Sequence, residues 1–305
     1  MKYNHVPVML EEAIDNLNLK KGDIVVDCTL GGGNYTKAIS KIVGDSGRVL
    51  SIDADEMAID NFKEIKNVTL IHENFSNLKE IVEESGMETV NACVFDLGLS
   101  SAQFEDPSRG FSFNVDAPLV MELDHDKERG SKTNTIVNKY SVEDLERIIR
   151  EYGEERMAGR IATAIVKHRP IQTTKELTDV IVEVLPKGYE RGRIHPATRT
   201  FQALRIETNN ELKNLKSALA QAIEILKPKG RISVVSFHSL EDRIVKQLFK
   251  TEASDCICPP KVPICNCNHV SQLKIITKKI ISPSSEEVKN NPRSRSAKLR
   301  VAEKI

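Results

Sequence analysis

The sequence predicts an α/β protein: a doubly wound, mostly parallel sheet that carries an inserted all-helical domain. Three observations predict it. Residues 24–33 read IVVDCTLGGG, a short apolar run ending in a carboxylate, then three glycines, with a helical pattern from Asn34 to Val43 straight after. Strand, glycine turn and helix make the opening unit of a nucleotide-binding α/β domain. Beyond it, apolar runs alternate with helical patterns as far as Asp96, the signature of parallel βαβ units. That rhythm then gives way to about 100 residues with helical patterns and no convincing strand, too long a segment for one crossover between neighbouring strands.

Taken in order, residues 9–19 form an amphipathic pattern ahead of the first strand. Strands follow at 24–27, 48–53, 68–72 and 92–96, separated by helical patterns at 34–43, 55–65 and 76–85. Residues 97–132 are rich in Ser, Gly, Pro and Asp and keep no period. Helical patterns resume at 141–152, 154–169, 173–185 and 208–227, with Ser141/Asp144 and Thr173/Glu176 spaced as capping boxes. The insertion is placed at 104–203, and residues 1–103 with 204–305 form the sheet domain. Lys227 to Gly230 make a turn into a strand at 231–236, followed by a helix at 239–250 with Ser239 and Asp242 as its box. Strands at 273–281 and 296–305, the last an edge with a polar face, bring the sheet to seven.

The ligand of the glycine turn is chosen by its neighbours. A dinucleotide fingerprint wants a third glycine where Thr36 stands, and a carboxylate at Asp27 would repel a pyrophosphate. It would instead pair with an ammonium or sulfonium group, and S-adenosylmethionine carries both and no phosphate. Asp53 ends the next strand, where an acid takes ribose hydroxyls. In such sheets ligands lie beyond the carboxyl ends of the strands; the residues there are Asp27, Asp53, Phe75 and Asp96.

Composition bounds the rest. With 40% apolar and 29% charged residues the chain is an ordinary globular protein. No apolar run nears the roughly 18 residues that span a bilayer, and acids interrupt the N-terminal MKYNHVPVMLEEA before any leader core forms. A cytoplasmic location with no membrane partner is expected. Net charge is zero, yet residues from Lys227 onward hold 16 Lys and Arg against 7 Asp and Glu, an asymmetry that hints at a polyanionic partner.

Cys28 and Cys93 sit in or beside strands and read as small core residues. The other four lie in CICPPKVPICNC, Cys256 to Cys267, near His269. Four thiolates suit zinc, but pairs spaced by one residue depart from the usual two to four, and a reducing compartment disfavours disulfides. They are read as free thiols, no metal is assigned, and zinc is left open.

Seven blocks make the resemblance specific: HVPVM (His5 to Met9), DLGLSS (Asp96 to Ser101), RGFSF (Arg109 to Phe113), YGEER (Tyr152 to Arg156), HPATRTFQALRI (His195 to Ile206), SFHSLEDRIVK (Ser236 to Lys246) and NPRSRSAKLR (Asn291 to Arg300). Together they resemble the ribosomal RNA small subunit methyltransferase H family across nearly the whole chain. The resemblance implies a Rossmann-like class I methyltransferase sheet with a helical insertion, S-adenosylmethionine as cofactor, and methylation of a cytosine N4 amine in the decoding region of small-subunit RNA. It implies a cofactor site of Gly33, Asn34, Tyr35, Asp53, Phe75, Asp96 and Gln103. The oligomeric state is left open, a homodimer among the options.

The chain departs from the family pattern in places. Gly-Asn-Tyr stands at 33–35 where Gly-Gly-His is usual, Val120 replaces an acid, and Glu122 replaces an arginine near the presumed mouth of the active site. Asp96 is the expected catalytic residue: a carboxylate there would accept a hydrogen bond from the target amine. Phe111 or Phe113 would stack on the extruded base. His238, Arg243, Arg199 and Arg205 are read either as RNA contacts or as capping and surface charge. The Arg293/Arg295/Lys298/Arg300 run is read as a solvated sheet edge.

Overall fold

A computed structural model describes residues 7–124, 130–189, 194–259 and 265–305. His5 and Val6 of the HVPVM block, and most of the loop between the two cysteine pairs, lie outside the described residues. The chain divides into two compact units, Met1–Gly98 with Leu212–Ile305, and Leu99–Glu211.

The first unit is a seven-stranded sheet with helices on both faces. Its strands are β1 (Ile24–Asp27), β2 (Arg48–Asp53), β3 (Val68–His72), β4 (Val90–Asp96), β5 (Leu226–Ser236), β6 (Leu273–Ile275) and β7 (Lys298–Lys304). They are ordered β3-β2-β1-β4-β5-β7-β6. Strands β1 to β5 pair parallel, and β7 runs antiparallel between β5 and β6. Burial follows the two-residue period of a strand. Val26, Cys93, Phe95, Ile232 and Val234 pack on one face with Leu78, Ile81, Leu219 and Phe249. Val25, Ala92, Val94, Val235 and Leu299 pack on the other with Ile14, Leu17, Ile39 and Val43. Helices α1 (Leu10–Leu17) and α2 (Asn34–Val43) therefore cover one face. The other is covered by α4 (Leu78–Glu84), which follows the short α3 (Glu56–Asn61), and by two later helices, Glu211–Ile225 and Ser239–Glu252.

Several expectations need correction. Residues 298–304 are not an edge, because β6 pairs outside them. The run 273–281 is a strand only over its first three residues, with an isolated bridge between Ile281 and Leu299. Residues 227–230 form a bulge inside β5, not a turn ahead of it: Val90 pairs with Leu226 and Ala92 with Arg231, and Lys229 takes φ 67°.

The second unit is helical, with α5 (Ser101–Glu105), α6 (Lys132–Lys139), α7 (Val142–Gly153), α8 (Ala158–Lys167), α9 (Thr174–Val184) and α10 (Thr198–Asn209). Leu119, Leu145, Ile148, Ile161, Ile165, Leu177 and Leu204 form its core. Ser141 caps α7, and Thr173 with Glu176 makes a complete box on α9. Helix α10 was not legible as a helix, since its N-cap is Ala197 with no capping side chain. It packs on α7 and α6, which sets the boundaries of this unit at 99 and 211 instead of 104 and 203. Asn210, at φ 52°, separates it from α11 (Glu211–Ile225); the expected helix at 208–227 ran the two together. Arg205 pairs with Glu211 through two bonds of 2.8 Å.

Candidate active site

Because β3, β2, β1 and β4 are adjacent and parallel, their carboxyl ends share one rim of the sheet, and the chain places acids there. Asp27 is fully buried. Its oxygens accept from Thr29 N at 3.1 Å and Thr36 Oγ1 at 2.6 Å, and Thr36 Oγ1 also meets Ser51 Oγ at 2.7 Å. Asp27 is thus a hub that ties the glycine turn to α2 and β2. This corrects the expectation that it pairs with a cationic ligand, for both its oxygens face inward.

The turn is pinned on both sides. Cys28 N donates to Val94 O and Leu30 N to Ile52 O, each at 2.9 Å. Gly31 N donates to Asp53 Oδ2 at 2.8 Å, and Asp55 N to Asp53 Oδ1 at 2.9 Å. Each carboxylate oxygen has a second lone pair, so Asp53 can hold the turn and still accept from a pair of hydroxyls. Gly33 sits at φ 70°, and a Cβ there would lie 2.4 Å from the Phe62 ring. It caps α2, whose first N–H groups have no intrahelical acceptor. Asn34 and Tyr35 open that helix, but the Tyr35 side chain turns into the core, 3% exposed, and donates to Val8 O at 2.6 Å. Only its main chain is left for a ligand. Phe75 follows β3 and packs edge-on against Phe95, centroids 5.9 Å apart.

Asp96 ends β4. Its N–H donates to Thr29 Oγ1 at 2.7 Å, so Thr29 links it to Asp27. Its Oδ1 is buried with no hydrogen-bond partner. Among the described residues, no Lys, Arg or His forms an ion pair with Asp27, Asp53 or Asp96. Burial accordingly pushes Asp27 up to about 7 and Asp53 up to about 6. Asp96 is held well above the usual carboxylate range by burial first, then by the charges of Asp27, Glu241 and Glu287. An orphaned buried carboxylate oxygen beside acids without counter-ions is a site built to receive positive charge. These residues fit a sulfonium cofactor.

Asp27 also couples to stability. The native state keeps its proton up to about pH 7, whereas the unfolded chain releases it near 3.8, so this group's contribution falls as pH rises through that window. Asp27→Asn cannot ionise; its amide oxygen can still accept from Thr29 N, and its NH2 can donate to Thr36 Oγ1 with that bond reversed. Its stability relative to the parent is expected to improve by roughly 2 kcal/mol between pH 5 and pH 8. Thermal melts of both proteins at the two pH values test this, and an unchanged difference refutes it.

The remaining expected residues lie elsewhere. Gln103 belongs to the helical unit, where it is buried and forms a complete capping box with Ser100. Phe111 is buried in the helical core, which closes its ring to a base, whereas Phe113 is half-buried with one face stacked on His195 at 4.5 Å. Glu122 is also buried. It accepts from Lys132 N at 2.6 Å in the first turn of α6, so its charge serves a helix terminus. Arg109 donates to Glu122 O and Leu123 O, both at 2.9 Å. Arg199 lies 3.7 Å from the buried Glu155. A cleft of about 710 Å³ in this unit is lined by Lys132, Lys139, Tyr140 and Glu207, with Val120 along its wall.

In the sheet unit, His238 caps α12 (Ser239–Glu252) with Glu241, one residue ahead of the expected Ser239/Asp242 box. Asp242 instead binds Arg300 at 2.7 Å and Lys298 at 3.3 Å. Sequence reasoning missed Thr29, Thr36 and Phe237. The ring of Phe237 lies 3.4 Å from where a Gly98 Cβ would stand. Thr29 and Phe237 follow the ends of β1 and β5, a positional signal that was available, whereas Thr36 lies in the first turn of α2.

A sequence profile of the MraW methylase family matches residues 2–305. The chain belongs to that family. It is a methylase, and its cofactor is S-adenosylmethionine. It is 48% identical to ribosomal RNA small subunit methyltransferase H of Halothermothrix orenii, covering 99% of this chain and 98% of that one. The protein of the same name from Clostridioides difficile is 48% identical over the full length of both. Among solved structures, an rRNA methylase from Streptococcus thermophilus aligns over 97% of this chain and 95% of that one, at 11% identity and a TM-score of 0.43. That likeness carries no argument, and the fold rests on the strand order above. No helix among the described residues is long and apolar enough to cross a membrane.

Proposed function

We propose that the protein transfers a methyl group from S-adenosylmethionine to the N4 amine of a cytidine in the decoding region of 16S ribosomal RNA. The observation that carries this reading is the buried, unpartnered Oδ1 of Asp96 at the end of β4, in a chain whose relatives bear the small-subunit methyltransferase name.

Gly33, Asn34 and Tyr35 would hold the cofactor through their main chain, with Asp53 on the ribose and Phe75 beside it. When bound, the cofactor supplies an electrophilic methyl group on a positively charged sulfur. Positive charge near Asp96 would lower its pKa and favour its carboxylate form. A cytosine N4 amine is a poor nucleophile because its lone pair is delocalised into the ring. Asp96 Oδ1 accepts one N4 hydrogen bond, and a main-chain carbonyl at Leu97 or Gly98 accepts the other. The nitrogen is drawn toward pyramidal geometry, and the carboxylate offsets the charge that develops on it. No covalent nucleophile takes part, and Cys28 and Cys93 are buried core residues. Phe237, beside Gly98, is the aromatic ring best placed on the rim to meet the base.

Nucleoside mass spectrometry of small-subunit RNA from cells with and without the gene tests the activity. Loss of N4-methylated cytidine is expected in the deletion strain. Identical nucleoside profiles would overturn the substrate assignment. For the cofactor, hydrogen bonds to a charged acceptor contribute roughly 1.5–3 kcal/mol each. Asp53→Ala should therefore weaken binding by about tenfold or more, and calorimetry showing unchanged affinity would sink that role.

A further inference from the structure

We propose that Cys256, Cys258, Cys265 and Cys267 form a structural zinc site, separate from the active site. The four sulfurs converge. Cys256 Sγ lies 3.4 Å from Cys265 Sγ and 3.8 Å from Cys267 Sγ. Cys265 Sγ is 3.5 Å from Cys267 Sγ and 3.9 Å from Cys258 Sγ. All four lie within 4.8 Å of one another. A tetrahedral ion with Zn–S bonds of about 2.3 Å has S···S edges of about 3.8 Å, and the measured separations bracket that edge. A disulfide needs about 2.05 Å, well below any of them. A polynuclear cluster needs its thiolates farther apart than the corners of a single-ion tetrahedron.

No packing force explains the convergence. Cys256 and Cys265 are exposed and the other two only partly covered; neighbouring Ile257 is 50% exposed. Four thiolates on a surface loop repel one another unless a cation joins them. The one-residue spacing is also compatible, since residues i and i+2 of extended chain share a face. Each Cys-x-Cys pair thus presents two sulfurs on one side, and the two pairs face each other. Cys258 N donates to Cys256 Sγ at 3.4 Å, a main-chain bond placed to orient that ligand from outside. His269 is not needed as a ligand; its Nε2 lies 3.0 Å from Thr251 O.

Four thiolates leave no open coordination position, so the ion is structural. Residues 254–272, between α12 and β6, contain no helix or strand among the described residues. Their base is closed by Gln272 N on Glu252 O at 2.8 Å, and zinc would fasten the far end.

The test uses the full-length protein, purified without chelator from zinc-containing medium, and elemental analysis. About one zinc per chain is expected, released by a mercurial reagent as four thiols are consumed. Replacement by Co²⁺ should give the strong visible bands and sulfur-to-metal charge transfer of a tetrahedral thiolate site. Cys258→Ser should weaken or abolish retention. Wild-type protein that retains no zinc when offered an excess, a Co²⁺ spectrum lacking thiolate charge transfer, or two disulfides in the native protein would each overturn the proposal. The wild-type measurements decide it even where the variant does not fold. None of them depends on methylation.

Discussion

Asp96→Asn is expected to slow single-turnover methylation by about a hundredfold or more, with a smaller loss of cofactor affinity. Losing one positioned transition-state group typically costs about two to three decades. The amide keeps the size of the side chain, and the main-chain bond from Asp96 N to Thr29 Oγ1 does not depend on its charge. What disappears is a carboxylate that can accept from the amine and offset its developing charge. The effect should therefore fall on the chemical step. Rapid-quench kinetics at saturating cofactor and RNA separate that step from binding. A variant that turns over normally under those conditions would show that Asp96 only orders the loop or holds the cofactor.

A chain with residues 99–211 replaced by a flexible linker from Gly98 to Leu212 should bind S-adenosylmethionine yet methylate no detectable RNA. Each unit has its own buried core, and the acids and glycines of the rim all lie in the sheet unit. Gln103 goes with the helical unit, and one neutral hydrogen bond contributes about 1 kcal/mol. Cofactor affinity should then fall by no more than about tenfold. Circular dichroism establishes folding first, and calorimetry and a methylation assay follow. A folded variant that cannot bind the cofactor would place an essential part of the site in the helical unit. One that still methylates RNA would remove that unit from substrate recognition.

The sheet was readable because its strands carry short apolar runs bounded by acids and glycines: 48–53 and 68–72 match the observed strands. Legibility fell where local signals are weak or tertiary pairing decides. Helix α10 lacks a capping side chain at Ala197. Residues 227–230 look like a turn in sequence and become a bulge only because Leu226 still pairs with Val90. Gly33, Asp53 and Asp96 could be placed on the rim from chain order alone. The inward turn of Asp27 and Tyr35 could not, because whether a polar group faces a ligand or a neighbour depends on partners distant in sequence. The stacking expected of Phe111 failed for the same reason, as its ring is already covered by the helical core. The four cysteines show the converse: their spacing argued against a shared ion, and only the folded loop brings the sulfurs together.

Tyr35 sends its ring toward Val8, and Gly33 has no room for a side chain. On the proposed assignment the turn would hold its ligand through main-chain conformation more than through residue identity. Positions 34 and 35 can then drift among lineages while the grip on the ligand persists, provided that 33 stays glycine and 35 still fills the core. Comparative searches that score side chains at the turn will understate kinship that the backbone preserves.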